Sequence, residues 1–220
     1  MRLLVLGATG QTGQLLVRQA LDHGHMVKAI VRTPSKLTIQ HDNLKVVKAN
    51  VFSANSLLEH FSEEDAIMSC LGFPISIFSE ATGYTESIKA IAPAMREAKV
   101  TRIIAMTSWY TKPDTAQEAS WTIRWLLIPL IRKLLINMQE MENYLNNECQ
   151  DLKWTVVRPP GLQNASKTEK QILTHEGYFV PGPEGIPIGN SVTRGDVARF
   201  MLSLVEEDLW IKKAVAMTTK

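Results

Sequence analysis

The stretch that most constrains this chain lies at its start. The apolar run Leu3-Leu4-Val5-Leu6 breaks into Gly7-Ala8-Thr9-Gly10-Gln11-Thr12-Gly13 and resumes as a helical pattern around Leu15, Leu16 and Val17. A strand, a turn of small residues and a helix start place free backbone N–H groups, and the positive end of a helix dipole, beside the strand end. The spacing Gly-x-x-Gly-x-x-Gly is a variant of the dinucleotide fingerprint, in which small residues let the backbone turn sharply and approach a pyrophosphate. Three glycines alone are a weak signal. Their setting, between a strand and a helix with a second strand following, predicts a phosphate cradle built from Gly7, Thr9, Gly10, Gln11, Thr12 and Gly13, with Gly13 allowing close helix–strand packing.

Downstream, short β-branched or apolar runs alternate with longer helical patterns, the signature of repeated βαβ units and a parallel sheet. Strands are predicted near Leu3–Leu6, Val27–Val31, Lys45–Asn50, Ala66–Leu71, Arg102–Met106, Lys153–Val157 and Ala214–Met217. Helices are predicted near Thr12–His23, Ser56–Phe61, Gly83–Ala98, Thr122–Asn147 and Arg194–Glu207. The expected architecture is α/β: a single-domain Rossmann fold over residues 1–220, doubly wound on a mostly parallel sheet. Substrate-side elaborations are expected mainly within 108–136 and 159–192. Pro181, Gly182, Pro183, Gly185 and Pro187 keep the segment Phe179–Ile188 from being a helix.

The second strand's end distinguishes the two nicotinamide dinucleotides. An Asp or Glu there would accept hydrogen bonds from the adenosine ribose of NAD, yet no acidic residue occurs from Met26 through His41, where Lys28, Arg32, Ser35 and Lys36 cluster instead. Arg32 and Lys36 can neutralise a 2′-phosphate and Ser35 can donate to it, so the expected cofactor is NADP(H). A solvated basic loop is the bland alternative.

Catalytic groups are sparse. Short-chain reductases commonly lower a tyrosine pKa with a lysine four residues on, but Tyr84, Tyr110, Tyr144 and Tyr178 are followed at that spacing by Ile88, Asp114, Glu148 and Gly182. No Gly-x-Ser-x-Gly elbow or His-Glu-x-x-His helix is present, which removes the common hydrolase readings. Ser108, just beyond the fifth strand, is the best remaining candidate for a catalytic hydrogen-bond donor, with Trp109 and Tyr110 expected to wall the pocket. Among the five histidines, only His175 lies near a segment expected to reach a pocket. A net charge of +2 without a basic stripe argues against nucleic acid. Cys70 and Cys149 offer neither a disulfide framework nor a metal-ligand spacing, and the leading apolar run is too short for a signal peptide. The expected compartment is cytoplasmic.

Taken with Arg32, Thr107-Ser108 and the later Val157-Arg158-Pro159-Pro160-Gly161, the glycine motif resembles that of the atypical short-chain dehydrogenase/reductases with an NAD(P)H-binding, NmrA-like domain. Within that family the likeness is to the NADPH-dependent flavin and biliverdin reductases. By the resemblance, Gly10, Gln11 and Thr12 would bind the pyrophosphate, and Arg32, Ser35 and Lys36 the 2′-phosphate. Asn50 and Val51 would border the adenine; Leu71, Gly72 and Phe73 would line the cofactor's path; Thr107, Ser108, Pro159 and Pro160 would surround the nicotinamide. That branch carries a histidine after its double proline, whereas Gly161 stands here, a departure that counts against tetrapyrrole reduction more than against flavin reduction.

Two functions follow from the resemblance: an NADPH-dependent reductase of a flavin or similar planar acceptor, or a non-catalytic NADP(H)-binding sensor or scaffold. The segment Trp121–Ile136, apolar apart from Thr122, Arg124, Arg132, Lys133 and the break at Pro129, could lie on a membrane surface. A helix apolar on most sides more often packs into a core or a subunit contact. The expectation is therefore burial near the active site, with Trp121 or Trp125 facing the substrate.

Overall fold

The computed structural model describes residues 1–75 and 80–220. Its first strand, β1 (Arg2–Leu6), is followed by α1 (Gln11–Asp22), β2 (Met26–Val31), a 3-10 turn (Pro34–Lys36) and β3 (Leu44–Lys48). Then come α2 (Ala54–Phe61), β4 (Ala66–Ser69), α3 (Gly83–Ala98) and β5 (Arg102–Met106). A π-helical turn (Ile123–Leu127) leads into α4 (Ile128–Glu148) and β6 (Lys153–Arg158). The chain ends with β7 (Gly161–Gln163), β8 (Ile172–His175), β9 (Ser191–Thr193), α5 (Arg194–Ser203) and β10 (Lys213–Thr219).

Eight strands form one sheet in the order β3-β2-β1-β4-β5-β6-β10-β8. Every pairing is parallel except β10 with β8 at the edge. Strand order runs outward in opposite directions from β1 and β4, so a crevice opens beyond their carboxyl ends, where doubly wound sheets bind ligands.

Continuous apolar runs make these strands because both faces are covered. In β1, Leu4 and Leu6 point into the cluster that holds Leu57, Ile91, Met95 and Leu145 of α2, α3 and α4. Leu3 and Val5 point to the opposite side, against Leu16, Val17, Val197 and Met201 of α1 and α5. All four side chains are fully buried. At roughly 1.5–3 kcal/mol for each such side chain, this one strand anchors both layers.

The structure departs from the sequence-based reading in definite places. Strand β3 ends at Lys48, before Asn50, and β10 runs on to Thr219 because Thr218 and Thr219 pair with Leu173 and Ile172 of β8. Strands β7, β8 and β9 were not anticipated. The helix expected from Thr122 is a π turn followed by α4: Pro129 has no N–H to give the carbonyl four residues earlier, and the backbone widens before it. In the Pro/Gly-rich segment, Pro181 and Pro187 bridge around a short 3-10 turn, a small β excursion of the kind expected.

Candidate functional site

The crevice is a cleft of about 820 Å³ at the carboxyl ends of the strands, within the size range of small-molecule sites. At its floor, Gly10 caps α1 with an extended backbone and no side chain caps the helix; no acidic residue lies in the first turn. The amides of that turn are therefore left to face the cleft beside Gly7, Thr9, Gln11 and Thr12, which line it.

Each glycine of the motif has a distinct geometric reason. Gly7 has φ +75°, and a Cβ there would stand 2.5 Å from the Cys70 carbonyl oxygen. Gly13 does not line the cleft: its Cβ would fall 2.2 Å from the Gly7 carbonyl oxygen, so it holds helix and turn together. Gly10 is the least constrained, with a Cβ reaching 3.2 Å from that oxygen. Its bare backbone is the surface offered to a ligand.

Arg32 and Lys36 line the cleft at the end of β2, and among the described residues no Asp or Glu contributes to its lining. Ser35, in the 3-10 turn, is exposed and stands outside the lining. Asn50 is likewise outside; its side-chain oxygen accepts from the Phe52 amide at 3.1 Å, and Val51 and Phe52 take the wall expected of Asn50 and Val51. Leu71, Gly72 and Phe73 line the middle, and Thr107, Ser108, Pro159 and Pro160 the far end.

Thr107 lines the cleft while its hydroxyl donates to Glu142 Oε1 at 2.8 Å, joining a buried cluster in which Thr111 donates to Oε2 at 3.0 Å and Arg158 donates from Nε at 3.1 Å. Arg158 also donates to the Gly177 carbonyl at 2.8 Å and lies over the Tyr178 ring. This cluster fixes the ends of β5 and β6, and so the position of Ser108, Pro159 and Pro160.

Trp109 and Tyr110 do not wall the cleft. Both are buried behind it, packed edge-on with each other and against Phe179. His175 is also excluded: it lies on the edge strand β8, exposed, with Nδ1 3.2 Å from the Phe179 carbonyl. Trp121 and Trp125 are 67% and 57% exposed and neither lines the cleft, contrary to the expectation of burial against substrate. Their helix does reach the site, through Ile131, Leu134 and Met138. The expected packing belongs to the next turns.

Tyr84, Arg194 and Met138 escaped the sequence-based reading. Tyr84 meets Phe73 edge-on at 4.9 Å between ring centroids, and burial pushes its phenol up to about 12. Burial also pushes the Cys70 thiol up to about 12. Neither can exchange a proton readily at neutral pH. Arg194 opens α5, donates to the Leu162 carbonyl at 3.2 Å and to Asn164 Oδ1, and adds a third cation to the lining. The motif spacing gave no signal for it, because it is brought in from the far end of the chain.

An uncapped helix start, a bare glycine backbone and a lining with Arg32 and Lys36 at one end and no acid among the described residues fit a phosphate-bearing dinucleotide. Residues 7–208 match the model of a family described as NAD(P)H-binding. The chain belongs to that family. Its cofactor is a nicotinamide dinucleotide. An uncharacterized chloroplastic protein of Arabidopsis thaliana is 27% identical over 94% of this chain and 73% of the relative. Two solved structures share the fold. An oxidoreductase from Lactococcus lactis has a TM-score of 0.78 and 20% identity, over 100% of this chain and 91% of that one. A candidate NADH-flavin reductase from Streptococcus pneumoniae has a TM-score of 0.73 and 20% identity, over the whole of both chains.

Proposed function

We propose that residues 1–220 act as one domain that uses NADPH to reduce a flavin or a similar planar conjugated acceptor. The observation that carries this reading is the division of the cleft. One end offers the α1 amides, Arg32 and Lys36 to phosphates; the other is walled by Pro159, Pro160, Ile131 and Met138, with the Ser108 and Thr107 hydroxyls beside them. NADPH would supply a hydride at that apolar end. A conjugated acceptor spreads the incoming charge through its own ring, so the residues need only hold two planes together and exclude water. Buried phenol and thiol groups fixed near 12 suit chemistry that asks little of a side-chain acid.

Preference for NADPH is supported by the same lining. Among the described residues no carboxylate that could pair with an unphosphorylated ribose lines it, and Arg32 and Lys36 at the end of β2 could neutralise a 2′-phosphate.

NADPH oxidation followed spectrophotometrically with FMN or riboflavin tests the proposal. Turnover above the protein-free rate is expected, with only a modest loss in Ser108→Ala, because an essential proton donor would contribute roughly a hundredfold or more. Biliverdin should be the poorer acceptor, since Gly161 presents no side chain where the flavin and biliverdin reductases have histidine. NADPH binding without oxidation by flavins, quinone-like dyes or biliverdin would replace this reading with that of an NADP(H) sensor.

A further inference from the structure

We propose that the outer face of residues 121–136 docks the protein on an anionic lipid surface. Half of the large hydrophobic side chains exposed among the described residues fall here: Trp121, Trp125, Leu126, Leu127, Leu130 and Ile136. They are not the solvent side of an ordinary amphipathic helix. Ile128 and Leu135 of the same segment are buried, so the segment presents apolar surface both inward and outward. Contiguous exposed apolar surface of this kind marks an interaction site.

Charge selects the occupant. From Ala119 through Gln139 the chain carries Arg124, Arg132 and Lys133 and no acidic residue. The Arg124 guanidinium lies 5.3 Å from the Trp125 ring centroid, and Arg124, Trp125 and Arg132 border one shallow groove in which Asp114 is the sole carboxylate. Indole rings with guanidinium groups beside them match the headgroup boundary of a bilayer, where the ring is half-wet and the cation meets lipid phosphate. No helix among the described residues is long and apolar enough to cross a membrane, so the mode is attachment in the interface plane. Trp125, Leu126 and Leu127, three consecutive residues of the π turn ahead of Pro129, are all exposed.

Sedimentation with vesicles tests this, using an equal mixture of phosphatidylcholine and phosphatidylglycerol against phosphatidylcholine alone. Binding to the anionic mixture is expected, falling with added salt. The partition coefficient should drop roughly tenfold for each of Trp121→Ser and Trp125→Ser. It should drop roughly fivefold for each of Arg124→Gln and Arg132→Gln. All four positions are exposed, and the variants should keep the parent melting temperature and NADPH affinity. Brominated lipid should quench the fluorescence of Trp121 and Trp125, a signal that the double serine variant loses. Three results would overturn the proposal: no binding to the anionic vesicles, equal binding by the folded double serine variant, or a dimer in solution that this variant converts to monomer. Vesicle binding is read without cofactor, so a failure of the reductase reading leaves this result independent.

Discussion

Glu142 shows how a residue far from the reacting atoms can set the site. It accepts four hydrogen bonds from Thr107, Thr111 and Arg158, and both it and Arg158 are nearly excluded from water. Removing one charge strands the other. Glu142→Gln should therefore lower unfolding stability by about 3 kcal/mol, measured by urea denaturation. An unchanged midpoint would show that water reaches the Arg158 guanidinium. The glycines give a sharper contrast at the same scale. Gly13→Ala drives a Cβ to 2.2 Å from a backbone oxygen that cannot yield cheaply, so it should destabilise the fold by about 2 kcal/mol or more. Gly10→Ala, at 3.2 Å, should fold with near-parent stability and lose NADPH affinity instead. The sequence motif makes the two residues look equivalent; only the distances separate a packing role from a ligand-facing one.

At the scale of elements, α5 is held by its first turn. The Asp196 carboxylate accepts from the Thr168 amide at 2.9 Å and from the Thr168 and Thr193 hydroxyls, and pairs with Arg199. Burial alone would raise its pKa; these donors together outweigh that and hold it below the ordinary carboxylate value. A lowered folded pKa contributes stability that is fully present above about pH 4 and lost as pH falls through the folded value. Asp196→Asn should cost about 2 kcal/mol at neutral pH. Its deficit against the parent should shrink in acid, seen by urea unfolding across a pH series. A deficit that stays constant down to pH 2 would place the anchor elsewhere. The elements that sequence made legible are those with enough repeat to show a period: β1, β2, β4, β5 and β6 as apolar runs, and α1 and α3 as helical stripes. β7, β8 and β9 are three or four residues long and pair at an edge or with one another, so no period develops. The π turn was hidden for another reason, since Pro129 announces a break without fixing its form.

For the molecule as a whole, cofactor and fold should be thermodynamically linked. The cleft joins the ends of β1, β2, β4, β5 and β6 with α4, so a ligand filling it binds only the assembled chain. NADPH at a hundred times its dissociation constant should add about 2.7 kcal/mol. For a chain of this size that raises the melting temperature by roughly 5–10 °C. NADH at the same concentration should raise it less. Equal shifts would remove Arg32 and Lys36 from cofactor choice, and no shift with either would sink the site assignment. The glycine cradle and the basic strand end were readable because each is local in sequence. Tyr84, Arg194 and Met138 were not, because the sheet gathers them from positions far apart.

Gly161 carries a consequence for descent. Its amide donates to the Asn190 carbonyl at 3.0 Å, and any Cβ at this position would come within 2.8 Å of the same oxygen. The pairing of β7 with β9 thus excludes a side chain at the position where, by the resemblance, the flavin and biliverdin reductases would carry histidine. A lineage passing between the two states would have to loosen that pairing before, or together with, gaining the imidazole. The order of mutations is constrained, and Gly161→His introduced alone into this background should break the small sheet rather than confer biliverdin reduction.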